Sequence, residues 1–149
     1  MISCTRKIEF DAAHRVVGHR GKCYKFHGHR YVIEATFIAK ELSELGMVID
    51  FADVKTILGG WIDQNWDHNA ILNITDKSLG EQLTQNIDQK IYYLNENPTA
   101  ENMANHLLLE ICPKIFANSS IQCIKIKLYE TPNCYAEAFL YSNGIIKRT

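Results

Sequence analysis

The sequence predicts an α+β fold of four antiparallel strands and two helices, in the order β-β-α-α-β-β. Three patterns lead there. Two strand-like stretches open the chain, two more close it, and apolar residues recur at helical spacing in two segments between them. Strands set before and after a block of helices indicate an antiparallel four-stranded sheet with its helices segregated, not a parallel βαβ sheet.

Residues 2–10 alternate, with Ile2, Cys4, Ile8 and Phe10 on one face and Arg6 interrupting it. Residues 15–28 turn basic, aromatic and glycine-rich and read as a loop. Residues 31–39 are apolar and β-rich, so the first two strands form a hairpin with a long connection. Phe51, Val54, Ile57, Leu58, Trp61 and Ile62 then follow helical spacing, with Asp50 as the cap. Gly59 and Gly60 weaken that helix by about 1 kcal/mol each relative to alanine. Trp66 to Asn69 form an exit loop, and residues 75–90 carry a weaker helical pattern around Leu79 and Leu83. The clearest helix follows Pro98, with Thr99 as its cap and Met103, Ala104, Leu107, Leu108 and Ile111 on one stripe. Pro113 ends or bends it. Residues 121–130 and 133–141 are the last two strands, joined by a Thr131-Pro132-Asn133 turn. Such a sheet has open edges, and association with further copies closes them.

With 149 residues the chain has the size of one domain, 1–149. That length buries about 68–70% of the unfolded surface, so a metal is not needed merely to fold. The net charge of -1 provides no electrostatic footprint for nucleic acid and no polybasic segment for a membrane. A small molecule or another copy of the chain is the expected partner. Cys4, Cys23, Cys112, Cys123 and Cys134 include no C-x-x-C pair, which excludes a thiolate zinc ribbon and a disulfide framework. No signal-peptide-like or membrane-spanning run is seen, so a cytoplasmic setting with mostly buried, free thiols is expected.

Chemistry concentrates in His27-Gly28-His29. Two residues apart on a strand point to the same side, and His14 at the end of the partner strand would lie beside them. Three imidazoles without a thiolate form the donor set of a catalytic zinc that leaves one position open. Two histidines near a turn are otherwise ordinary solvated side chains, and the third is what favours a metal. Spacing does not choose among divalent ions. Cys23, between Lys22 and Tyr24-Lys25, sits in an electropositive loop that suits a thiolate base. Asp67-His68 is a carboxylate beside an imidazole, though neighbours in sequence do not easily face each other. Counting by twos puts Glu130 on the apolar face with Leu128, Ile126 and Ile124, where a carboxylate needs a partner with N–H or cationic donors. Thr99 and Glu101 open a helix, and capping explains them without further function. His19 and His106 have no such company.

Together these blocks resemble the 6-pyruvoyl-tetrahydropterin synthase superfamily. They are Phe10-Asp-Ala-Ala-His14, Cys23-Tyr-Lys-Phe-His27-Gly-His29, Gly46-Met-Val-Ile-Asp-Phe51, Asp67-His68, Pro98-Thr-Ala-Glu-Asn102 and Leu128-Tyr-Glu130-Thr. The resemblance implies the tunnelling fold (T-fold), in which subunits close into a barrel, commonly a homohexamer built as a dimer of trimers. It implies Zn2+ on His14, His27 and His29, with Cys23, Asp67 and His68 catalytic. Glu130, with Thr99 and Glu101, would bind the pterin. The short gap between Cys23 and His27-Gly28-His29 is similar to the branch that makes 6-carboxytetrahydropterin for queuosine from 7,8-dihydroneopterin triphosphate, releasing acetaldehyde and triphosphate. The alternatives are 6-pyruvoyl formation by triphosphate elimination and a non-catalytic zinc-stabilised assembly module. Arginines and lysines of 15–25 are expected at the triphosphate. The stretch from His68 to Pro98 is longer than in compact bacterial members, and Trp66 stands where a small aliphatic residue is usual.

Overall fold

In this computed structural model the described residues are 1–141; the end of the expected 1–149 domain lies outside them. Strand β1 (Ser3–His14) pairs antiparallel with β2 (His27–Ala39), from Ser3 opposite Ile38 to His14 opposite His27. β2 pairs with β5 (Ile121–Thr131), and β5 with β6 (Cys134–Phe139), again antiparallel. The expected four-stranded sheet is therefore present. Two short strands, β3 (Ala70–Asn73) and β4 (Ile91–Leu94), extend it in parallel beyond β1, making six in the order β4-β3-β1-β2-β5-β6. Four residues each are too few for a period-2 pattern, and Ala70, Ile71 and Leu72 are all buried, so no alternation marks them.

Helix α1 covers 51–65, α2 is Lys77–Ile87 and α3 covers 100–115. Asp50 Oδ1 accepts from the Ala52 amide at 2.8 Å, the anticipated cap. The turn Lys55–Gly59 is widened to the π form just where the glycines fall. Thr99 Oγ1 caps α3 through the Asn102 amide at 3.3 Å. Its turn Leu107–Ile111 is also widened, and the Cys112 amide donates back to the Leu107 carbonyl. Pro113, with no N–H to offer, follows directly and does not end the helix.

The helices cover one face of the sheet. Phe10, Tyr31, Ile33, Phe37, Ile126 and Leu128 from the strands meet Val54, Leu58, Ile62, Met103, Leu107 and Leu108, all at 0–1% exposure. Each such burial stabilises by about 1.5–3 kcal/mol. The simple count by twos fails at one place. β5 carries a bulge, with Thr36 opposite Lys125 and Phe37 opposite Cys123, so Ile124 has no opposite residue in β2 and Cys123 takes the buried face instead. Cys112 and Cys123 are buried, but Cys134 is exposed beside the final turn and Ile2 is exposed before the first strand, against expectation. No helix of the described residues is long and apolar enough to cross a membrane.

Candidate metal centre and active site

β1 and β2 end together, so the hairpin register itself assembles the histidines. His14 lies opposite His27, and His29 follows two residues along the same face. Their ligand nitrogens all lie within 4.8 Å of one another. His14 Nε2 is 3.3 Å from His27 Nε2, which is 3.0 Å from His29 Nε2. Two nitrogens on a tetrahedral zinc, each at about 2.0–2.1 Å from the ion, stand about 3.3 Å apart. The far side of two rings is anchored: His14 Nδ1 donates to the Pro98 carbonyl at 2.7 Å and His27 Nδ1 to the Lys25 carbonyl at 2.5 Å. Those bonds leave each Nε2 with a lone pair, as ligation requires. Burial pulls His14 below the ordinary imidazole value, with the Pro98 carbonyl and Glu130 opposing and the other two rings reinforcing. Burial does the same at His29, against Glu130. Three imidazoles converging on one point fit a divalent metal, which binds them in the neutral form. Gly28 between them is needed for space, since a Cβ there would press on the Ala12 carbonyl oxygen at 3.3 Å.

Glu130 sits within a second register shift, between Tyr129 and Thr131, and its Oε1 is 3.5 Å from His29 Nε2. Its side chain is 24% exposed, so the carboxylate edges the histidine group while remaining accessible. Tyr31 completes this face. Two residues beyond His29, its ring centre is 5.6 Å from that of His29 and 5.9 Å from that of His14. Its hydroxyl is buried without a hydrogen-bond partner among the described residues. Burial, then the charges of Glu130 and Cys23, push that hydroxyl well above the usual phenol value. Sequence reasoning missed Tyr31, although its parity with His27 and His29 marked it. Cys23 is half-buried in the loop before β2, and its carbonyl accepts from the Val16 amide at 2.8 Å.

Asp67 and His68 do face each other. His68 adopts φ 57, which turns its ring back so that Nδ1 donates to Asp67 Oδ2 at 2.8 Å. Asp67 Oδ1 accepts from the Asp11 amide at 2.9 Å. Burial raises the Asp67 carboxyl, but the Asp11 amide and His68 outweigh it and hold it below the ordinary value. His68 is raised by its bond to Asp67. Trp66, fully buried against Phe10 and Trp61, anchors this loop, which accounts for a large residue there. His68 lines an open groove with Asp11, Arg30 and Gln89, and of the three histidines only His29 borders it. By strand parity Asp11 and Arg30 leave the sheet on the face opposite to His27 and His29. Thr99 is occupied as a cap, and Glu101 is exposed in the first turn of α3.

Residues 3–139 match the 6-pyruvoyl tetrahydropterin synthase family. The chain belongs to that family. A 6-carboxy-5,6,7,8-tetrahydropterin synthase from Rickettsia bellii is 53% identical over 137 residues, 92% of this chain and 99% of the relative. Among solved structures, an uncharacterized protein from Wolinella succinogenes superposes with TM-score 0.76 at 20% identity, covering 93% of this chain and 97% of the other. A 6-pyruvoyl tetrahydropterin synthase from Plasmodium vivax gives 0.64 at 16%, covering 93% and 98%. The fold is the T-fold of these synthases, here with β3, α2 and β4 set between the two main helices.

Proposed function

We propose that the chain is a zinc-dependent 6-carboxy-5,6,7,8-tetrahydropterin synthase, a carbon–carbon lyase. On this reading it converts 7,8-dihydroneopterin triphosphate to 6-carboxytetrahydropterin with release of acetaldehyde and triphosphate, a step of queuosine biosynthesis. The observation that carries it is the convergence of His14, His27 and His29 beside Glu130, in a chain 53% identical to a synthase of that name. Zinc, when bound, supplies Lewis acidity toward the substrate's side-chain oxygens. Glu130 accepts from the pterin N–H groups and holds the ring, with Thr99 and Glu101 as further contacts to the substrate. Cys23 takes the side-chain proton as thiolate.

The Asp67–His68 pair moves protons with it. The pair sits beside Asp11 and Arg30, which by strand parity face away from His27 and His29, and this favours a second copy as the one that brings it to Cys23. We assign that arrangement to a homohexamer, a dimer of trimers, in which the sheet edges at β4 and β6 find partners. Free thiols at all five cysteines favour a cytoplasmic setting.

Purified protein incubated with dihydroneopterin triphosphate decides the matter. Acetaldehyde and 6-carboxytetrahydropterin in the mass spectrum support the reading, while 6-pyruvoyl product without acetaldehyde replaces it with triphosphate elimination. Cys23→Ala should abolish turnover and keep the metal; undiminished biological activity in that variant would make the chain an assembly module.

A further inference from the structure

The segment between His68 and Pro98 reaches back to the loop that carries Cys23. Asp76, only 6% exposed, accepts from Arg15 through both oxygens, Oδ2 from Nε and Oδ1 from Nη2, each at 2.5 Å. Asn97 takes the next residues: its Oδ1 accepts from the Val17 amide at 3.1 Å and its Nδ2 donates to the Val17 carbonyl at 2.9 Å. Asn73 steadies Asn97 by donating to the same Oδ1 at 3.1 Å. From this braced stretch the Val16 amide donates to the Cys23 carbonyl, and the Arg15 guanidinium rests 5.1 Å from the centre of the Tyr24 ring.

Arg15 is one of the residues expected at the triphosphate. A guanidinium already held in a two-point bond by a buried carboxylate is committed, because withdrawing it would strand that carboxylate in the protein interior. Its remaining face lies on Tyr24, the neighbour of Cys23. The bridge thus runs from the buried carboxylate to the residue beside the thiol, with a planar, rigid group in the middle.

We infer that Asp76 is a positioning residue: through Arg15 and Tyr24 it sets where the Cys23 thiol stands relative to the three histidines. This rests on the proposed synthase reading, which gives Cys23 its proton-transfer role. Asn97 and Asn73 hold the other side of the same stretch, so the 70–97 segment serves as the frame of the Cys23 loop.

The test uses the zinc-loaded, full-length chain as wild type, Asp76→Asn, Tyr24→Leu and Tyr24→Phe. Turnover of dihydroneopterin triphosphate is measured beside bound metal and the rate at which iodoacetamide alkylates Cys23, followed on the Cys23 peptide by mass. A misplaced thiol predicts that Asp76→Asn lowers kcat by about tenfold to a hundredfold, with KM within about twofold and the metal retained. The Cys23 alkylation rate shifts with it. Tyr24→Leu, at an exposed position, goes the same way, and Tyr24→Phe keeps wild-type kcat. Should Asp76→Asn not fold, the two Tyr24 variants decide alone. Unchanged kcat and alkylation in Asp76→Asn or Tyr24→Leu overturn the inference. So does a rise in KM alone, which would place Arg15 on the substrate, or loss of metal, which would place the bridge's effect at His14. An inactive wild type instead sinks the synthase reading, and the alkylation rates still judge the bridge.

Discussion

His14 donates from Nδ1 to the carbonyl of Pro98, 84 residues away, at 2.7 Å. The bond joins the end of β1 to the residue before the cap of α3, and fixes which nitrogen of a buried ring is free for a metal. His14→Ala removes a ligand and leaves that carbonyl without its partner, a cost of about 1–3 kcal/mol. The variant should lose its metal on dialysis, read as metal per chain by elemental analysis, while far-UV circular dichroism stays native. Full metal retention would exclude His14 as a ligand.

The Asp67–His68 pair has a pH signature. His68 is raised above the ordinary imidazole value of 6.5, so what the pair adds to folding is complete below that pH and fades as pH climbs through the raised value. Asp67 is lowered below the ordinary 3.8, so the same contribution is present above that pH and fades as pH falls through the lowered value. The window between 3.8 and 6.5 holds the intact pair. Following the His68 ring protons by NMR should give a midpoint above the ordinary value in the wild type. Asp67→Asn should move it down, and an unmoved midpoint would mean the 2.8 Å contact does not exist in solution.

Tyr31→Phe deletes a buried hydroxyl that has no partner among the described residues. Because no hydrogen bond is lost, stability should hold or rise by up to about 1 kcal/mol in urea denaturation. A loss larger than that would reveal a partner for the hydroxyl.

Gly80 lies buried in α2 directly against the Tyr93 ring. Alanine elsewhere in a helix gains about 1 kcal/mol over glycine, but here its methyl would overlap the phenol. Gly80→Ala should therefore destabilise by about 1–3 kcal/mol. In a Tyr93→Ala background the same change should stabilise, and equal effects in both backgrounds would refute the clash.

Much of the fold and of the site is legible in the residues themselves. The caps at Asp50 and Thr99 are local: a short side chain reaches an amide two or three residues on, and the residue type announces it. The convergence of His27 and His29 follows from strand parity alone, and the hairpin brings His14 opposite. Other features depend on partners far along the chain. Counting by twos assigns Ile124 to the wrong face because a bulge is one residue without an opposite number, a property of the pair β2 and β5 and of neither strand alone. β3 and β4 are too short to carry a period and exist because β1 offers an edge.

What the amino-acid sequence alone determined is the set of groups for chemistry: three imidazoles, a thiol, the acid Glu130 and the pair Asp67-His68, with the hairpin that gathers the first three. Local backbone geometry is short-range, so spacing and parity suffice for it. Tertiary structure decided what those groups face. It turned His68 back onto Asp67 by a left-handed residue, set that pair beside Asp11 and Arg30, and committed Arg15 to Asp76. Contacts between residues tens of positions apart depend on register and on the path of the intervening chain, and neither is written in any one segment.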